Sequence, residues 1–111
     1  MESFSFPKTQ RILKRKDFVN LNRLGKRFHT EHFFVKVNPS RLDTSRLGIT
    51  ASKRTGNAVL RNRIKRLVRE FFRLNRSRLP KGVDILVASK KGAAALDYWK
   101  VRDELGAILF Y

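Results

Sequence analysis

Apolar residues recur at intervals of three and four between residues 57 and 75, and basic residues fill many of the positions between them. At about 100° per residue, this spacing places the apolar residues on one side of a helix. That side consists of Leu60, Ile64, Leu67, Val68, Phe71 and Leu74. The pattern predicts a helix over residues 57–75 with Asn57 as its N-cap and its apolar side packed against a sheet.

The other side of this helix carries almost only positive charge, since Glu70 is the only acidic residue among residues 53–73. Cations three or four residues apart repel by about 0.2–0.5 kcal/mol per pair, and solvated helices usually mix the two signs. We therefore interpret this side as a polyanion-binding face rather than a merely solvated one. It collects Asn62, Lys65, Arg66, Arg69 and Arg73, with Arg61 and Arg63 on its flanks.

The pattern elsewhere in the middle of the chain predicts strands. Residues 26–37 alternate and are rich in β-prone side chains, which indicates a strand or hairpin followed by a turn-rich connection over residues 38–45. Residues 46–52 indicate another strand. The nearly unbroken apolar run over residues 84–88 is typical of a buried strand.

Two further helices are predicted. A short one over residues 17–24 stops at Gly25, and a longer one begins after Asp97, its expected N-cap. The buried stripe of the longer helix is Tyr98, Val101, Leu105 and Ile108, with Trp99 beside it. Residues 1–16 form a basic arm, for which a frayed terminus and a docked segment are both open interpretations.

Together these elements predict one α+β domain over residues 1–111. Their order is α-β-β-β-α-β-α, with helices packed on a sheet of about four strands in an α/β sandwich. The strand at 46–52, the central helix and the strand at 84–88 indicate a parallel pair joined by a crossover. General statistics favour a right-handed crossover.

Composition narrows the class of partner. The chain has 26 Lys and Arg against 9 Asp and Glu, a formal net charge of +17, which indicates attraction to nucleic acid or an anionic membrane. A hydrophobic content of 41%, including nine Phe, indicates a folded core rather than a disordered basic tail. The sequence contains no cysteine, membrane-length apolar run or secretory signal, so we expect a cytoplasmic protein with no membrane partner.

Several short motifs form a recognisable signature. The central ones are Lys53-Arg54, Asn57-Ala58-Val59, Arg61-Asn62-Arg63, Lys65-Arg66 and Arg69. The supporting ones are Phe6-Pro7, Asp17-Phe18, Gly48-Ile49 and Ala88-Ser89-Lys90-Lys91-Gly92. Over nearly the whole chain, these motifs resemble the signature of the bacterial ribonuclease P protein subunit.

The resemblance implies a protein that binds the catalytic ribonuclease P RNA and the 5′ leader of precursor tRNA, and so assists endonucleolytic removal of the leader. It implies that the RNA carries the active site and holds the required Mg²⁺, and that the protein is not catalytic alone. We expect one protein per RNA, a monomeric free protein and an unusual left-handed crossover. The residues assigned to the catalytic RNA are Lys53, Arg54, Asn57, Arg61, Asn62, Arg63, Lys65, Arg66, Arg69 and Arg73.

A separate leader-binding cleft is expected where the first helix meets the sheet. The resemblance places Phe18 at its edge, although packing in the core is the alternative for this residue. Phe34 and Lys36 share one strand face, where a base can stack on the ring and a phosphate can meet the ammonium. Ordinary burial with a snorkelling Lys36 is the alternative. Many relatives carry a second aromatic where this chain has Asn22, so we expect less stacking surface here.

Two other classes of function compete with this interpretation: a general RNA-binding or ribosomal protein, and a stand-alone ribonuclease. His29 and Glu31 are predicted to share one strand face while His32 points away, which is a poor geometry for a metal site or an acid–base pair. The scarcity of carboxylates and the lack of a phosphate-loop or nucleophile signature also disfavour catalysis by the protein.

Overall fold

The computed structural model describes residues 26–39 and 45–110. The predicted basic arm, the short helix that contains Phe18 and Asn22, and residues 40–44 of the predicted connection lie outside the described residues.

The described residues form a four-stranded mixed sheet. Its strands are β1 (Lys26–His29), β2 (Phe33–Pro39), β3 (Arg46–Ala51) and β4 (Val83–Ser89). The spatial order is β1-β2-β4-β3; β2 is antiparallel to both of its neighbours, and β3 is parallel to β4. The predicted hairpin, parallel pair and α+β class are therefore confirmed, while the hand of the crossover stays a prediction.

The second strand is longer than predicted. Asn38 and Pro39, which were assigned to the following connection, pair with Asp84 and Val83 of β4. Proline is tolerated at this position because a strand end needs fewer backbone donors than a strand centre.

Two helices cover one face of the sheet. They are α1 (Ala58–Leu74), which links β3 to β4, and α2 (Tyr98–Leu109), which follows β4. Successive side chains of a strand point to opposite faces, so one face presents an apolar set to the helices. Residues from the sheet and from both helices join one buried cluster that includes Phe33, Val35, Ile85, Val87, Ile64, Val68, Phe71, Val101 and Leu105.

The buried side of α1 is rotated from the predicted one. Ile64, Val68 and Phe71 are buried as expected, but Leu60 is 39% exposed and Leu74 is 43% exposed. Phe72, outside the predicted stripe, is instead 4% exposed. The buried side of α1 is therefore centred on Ile64, Val68 and Phe72 rather than on the leucine stripe.

The turn between β1 and β2 is anchored to α2 by Glu104. The backbone N–H of His32 donates to Glu104 Oε1 at 2.5 Å, and His32 Nδ1 lies 3.0 Å from Glu104 Oε2. Glu31 and His32 therefore belong to this turn, and their predicted places in a strand were wrong. Burial alone raises the pKa of Glu104, but hydrogen bonds from Thr30 and from the backbone and ring of His32 outweigh it and lower the pKa below its ordinary 4.5.

Replacing Glu104 by Gln should lower the free energy of unfolding at pH 7 by about 1–3 kcal/mol, because a charged acceptor of several hydrogen bonds is lost. A carboxylate with a depressed folded-state pKa stabilises the fold above its unfolded-state pKa and loses that contribution as pH falls through the folded-state value. The loss of unfolding free energy caused by Glu104→Gln should therefore become smaller below about pH 4.5. Urea unfolding of the variant and the parent protein at pH 7 and at about pH 3.5 measures this loss.

The control is Asp103→Asn, which removes an exposed carboxylate from the same helix. It should change stability by less than about 0.5 kcal/mol at either pH. A deficit of Glu104→Gln that stays the same at both pH values would contradict the proposed linkage.

Candidate nucleic-acid interface

The start of α1 is defined by Gly56 and Asn57. Asn57 Oδ1 accepts a hydrogen bond of 3.0 Å from the Leu60 backbone N–H, which confirms the predicted N-cap. Gly56 has φ 142°, and a Cβ at this position would lie 2.6 Å from Leu60 Cδ1. Only glycine satisfies both the backbone angle and the close approach. The helix therefore begins at a fixed residue, and this determines where every later side chain points.

We call the polar side of α1 and the 3₁₀ turn before it the cation face. Its exposed members are Lys53, Arg54, Asn57, Asn62, Arg63, Arg66 and Arg69, and its half-buried members are Arg61, Lys65 and Arg73. The half-buried positions Arg61 and Lys65 lie on the flank next to Phe72, so their burial follows from the rotation of the helix. All ten predicted residues are thus exposed or half-buried, and their assignment to RNA binding stays a prediction.

Carboxylates neutralise little of this face. Arg73 is paired with Glu70, one helical turn before it. The other five cations of α1, namely Arg61, Arg63, Lys65, Arg66 and Arg69, form no ion pair with any carboxylate of the described residues. The Nε of Arg61 is buried and has no hydrogen-bond partner there. An uncompensated positive surface of this kind attracts and orients a polyanion.

Arg63 also supports the fold. Its Nε donates to the Ala94 carbonyl at 3.2 Å, and its Nη2 donates to the Leu96 carbonyl at 3.1 Å. These bonds tie α1 to the segment that leads into α2. The sequence carried no signal for this role, because the partners are backbone carbonyls more than 30 residues away.

The sheet face opposite the helices carries the other predicted site. Phe34 lies edge-on to His29, with ring centroids 4.4 Å apart, and Lys36 Nζ is 5.1 Å from the centroid of Phe34. Lys36 is only 7% exposed, and burial followed by the nearby Arg27 lowers its pKa. Its ammonium is therefore withdrawn from solvent.

Arg27 and His29 are exposed polar residues that were not predicted at this site. In the register of the β1–β2 hairpin, Arg27 lies opposite Lys36 and His29 lies opposite Phe34, so all four side chains share one face. The signal that could have found them is the hairpin register, because alternation along residues 26–29 places these two side chains together. Of the predicted cleft, Phe34 remains half-buried, and Phe18 lies outside the described residues.

Comparison with known proteins identifies the family. A sequence model described as Ribonuclease P matches residues 6–110. The ribonuclease P protein component of Desulforapulum autotrophicum is 52% identical over 108 residues, which are 97% of this chain and 92% of the relative. The chain belongs to the ribonuclease P protein family.

Solved structures of family proteins share the fold. The RNase P protein of Staphylococcus aureus superposes with a TM-score of 0.83 at 34% identity, covering 94% of this chain and 100% of that chain. The RNase P protein of Thermotoga maritima gives a TM-score of 0.82 at 39% identity, with 89% and 94% covered. Membership of the ribonuclease P family supports a role in tRNA 5′ processing as a bacterial subunit of an endoribonuclease, with ribonuclease P RNA as partner.

Within the ranges that the structure describes, no helix is both long and apolar enough to cross a bilayer.

The structural role of Arg63 can be tested by comparing it with Arg66, which is exposed on the same helix. Arg63→Ala should lower the free energy of unfolding by about 0.5–1.5 kcal/mol, because the hydrogen bonds to residues 94 and 96 are removed. Arg66→Ala removes the same charge and should stay within about 0.5 kcal/mol of the parent protein. Urea unfolding of both variants measures the difference, and equal stabilities would show that Arg63 does not support the fold.

Proposed function

We propose that this chain binds the catalytic RNA of ribonuclease P through the cation face and binds the 5′ leader of precursor tRNA on the sheet face opposite the helices. By doing so, it assists endonucleolytic removal of the leader. The RNA supplies the active site and holds the Mg²⁺ that hydrolysis requires, and the protein acts by positioning.

The observation that carries this proposal is the unneutralised charge on α1. Five cations lie on a helix whose other side is locked into the core by Ile64, Val68 and Phe71. A folded RNA crowds its phosphates, and a rigid cationic surface that meets them releases their counterions. Binding also relieves the electrostatic repulsion between the cations of α1. Counterion release and this relief of repulsion both favour association.

Leader binding is supported by the exposed residues at the β1–β2 part of this sheet face. Phe34 offers part of an aromatic ring, and Arg27 and His29 offer exposed polar groups beside it. Single-stranded RNA is commonly held by this combination, because every base can stack and every phosphate can meet a donor. Lys36 is buried next to Phe34, so it contributes positive potential rather than a direct phosphate contact.

Removing three cations from α1 should reduce the salt dependence of RNA binding. For the triple variant Lys65→Ala, Arg66→Ala, Arg69→Ala, the slope of log K against log salt should fall by about 0.7–0.9 for each phosphate that the protein no longer neutralises. The matched control removes three exposed lysines outside the cation face, Lys26, Lys81 and Lys91. Filter binding to a ribonuclease P RNA over a salt series measures both slopes, and equal slopes would argue against α1 as the binding surface.

Reconstitution tests the function itself. The protein should stimulate 5′ maturation of precursor tRNA at low Mg²⁺ when a ribonuclease P RNA is present, and should do nothing without that RNA. Binding of precursor tRNA to the RNA–protein complex should be tighter than binding of mature tRNA, because only the precursor has a leader.

The outcomes separate the alternatives. Cleavage by the protein alone would indicate a stand-alone ribonuclease. No stimulation with the RNA would indicate a general RNA-binding protein. Stimulation without any preference for the precursor would show that the protein binds the catalytic RNA and does not bind the leader.

A further inference from the structure

The outer side of α2 carries a group of residues that the proposed function does not use. Val101, Leu105 and Leu109 face the core. Trp99, Arg102 and Gly106 follow one another at intervals of three and four on the neighbouring flank of the helix, with Asp103 beside them, and we call this flank the ridge. The group lies on a different helix from the cation face.

An open cavity lies along this ridge. Its volume is about 320 Å³. It is lined by Arg78, Arg102, Asp103, Gly106, Ala107 and Phe110. Arg78 comes from the 3₁₀ turn that follows α1, so the cavity joins the end of α1 to the outer side of α2.

Two guanidinium groups are held at this cavity by one aromatic ring. The Cζ of Arg78 is 4.1 Å from the centroid of Phe110, and the Cζ of Arg102 is 5.3 Å from it. The ring is itself fixed: its centroid is 5.5 Å from that of buried Phe71, and it packs so closely on Gly106 that a Cβ there would lie 2.6 Å from Phe110 Cε2. Both guanidinium groups are therefore held against one fixed ring in the wall of this cavity.

These two cations lack an anionic partner in the described part of the chain. Neither Arg78 nor Arg102 forms an ion pair there, although Asp103 also lines the cavity. Two cations that line one concave, solvent-open cavity favour an anion within it, and guanidinium groups match the geometry of phosphate oxygens.

Trp99 stands one helical turn before Arg102 on the same ridge. It is 66% exposed, although it is the largest apolar side chain in the protein. Its ring lies edge-on to Tyr98 at 5.2 Å, and the hydroxyl of Tyr98 accepts a hydrogen bond of 2.9 Å from Asn75 Nδ2. The indole is therefore supported from one side while much of its surface is open to solvent. An exposed aromatic ring on a surface that also carries basic side chains is a typical platform for a nucleobase.

We propose that this ridge is a further RNA-binding site, which takes a single-stranded segment with a base stacked on Trp99 and a phosphate held in the cavity by Arg78 and Arg102. It rests on the proposed function only in taking RNA as the ligand. The charge of the site favours RNA over an apolar partner, because Arg78 and Arg102 line the cavity and Lys100 follows Trp99 directly in the chain.

Trp99 is the only tryptophan in the chain, so intrinsic tryptophan fluorescence reports on this site alone. The full-length protein is titrated separately with a single-stranded oligouridylate of about 12 nucleotides and with a ribonuclease P RNA. Stacking should quench the emission as the RNA saturates the site. Quenching by the ribonuclease P RNA and not by the oligouridylate would place the segment within the folded RNA, and quenching by both would indicate any accessible single strand.

Two sets of variants test the chemistry. Trp99→Ala should weaken binding of the quenching RNA by about 5- to 150-fold, whereas Trp99→Phe, which keeps an aromatic face, should recover most of the affinity. The double variant Arg78→Ala, Arg102→Ala should abolish the quench and lower the salt slope by about 0.7, since one phosphate is no longer neutralised. The matched control Lys81→Ala, Lys91→Ala removes the same charge elsewhere and should keep the quench.

Unchanged emission at saturating RNA would overturn the proposal, as would a full quench in the double arginine variant. Emission that changes with protein concentration in the absence of RNA would assign the ridge to contacts between copies of this chain and would equally overturn it. Stimulation of tRNA maturation is measured independently. Stimulation without a quench would overturn the ridge proposal and leave the proposed function intact. A quench without stimulation would support the ridge and contradict the proposed function.

Discussion

The structure depends on the apolar contact between α1 and the sheet. Neighbouring cations on the outer side of this helix, such as Lys65, Arg66 and Arg69, repel one another by about 0.2–0.5 kcal/mol per pair. Burial of Ile64, Val68 and Phe71 contributes about 1.5–3 kcal/mol for each side chain. The core therefore outweighs the repulsion by several-fold and holds the charges at fixed positions. Without that anchor, a segment of this composition would favour an extended and solvated chain.

Much of this arrangement could be predicted from the sequence, because the deciding signals are local. The caps Asn57 and Asp97, the alternation of β2 and the apolar run of β4 all act within a few residues, and the structure confirms each one. The motifs of α1 likewise identified the family from the sequence alone. These features are set by backbone hydrogen bonding and by side-chain periodicity, which neighbouring residues largely determine.

Several of the features that were missed depend on partners distant in sequence. Periodicity gave α1 an apolar side, but the rotation that buries Phe72 and exposes Leu74 is decided by the shape of the surface beneath it. The contact of His32 with Glu104 spans 72 residues. Phe110 meets Arg78 only after the chain has folded back along α2. Sequence patterns describe which side of an element is apolar, whereas these contacts require the packing of several elements at once.

The bonds made by Arg63 have a consequence for the entropy of RNA binding. An ordinary exposed arginine such as Arg66 samples many rotamers, and ordering a side chain of this kind on a partner costs about 0.5–1.5 kcal/mol. The guanidinium of Arg63 is already held along one edge by the carbonyls of Ala94 and Leu96, while Nη1 takes part in neither bond. Much of its rotamer freedom is thus given up during folding rather than during association. A phosphate that approaches Nη1 meets a donor already oriented, so this one position can contribute more affinity than its charge alone suggests.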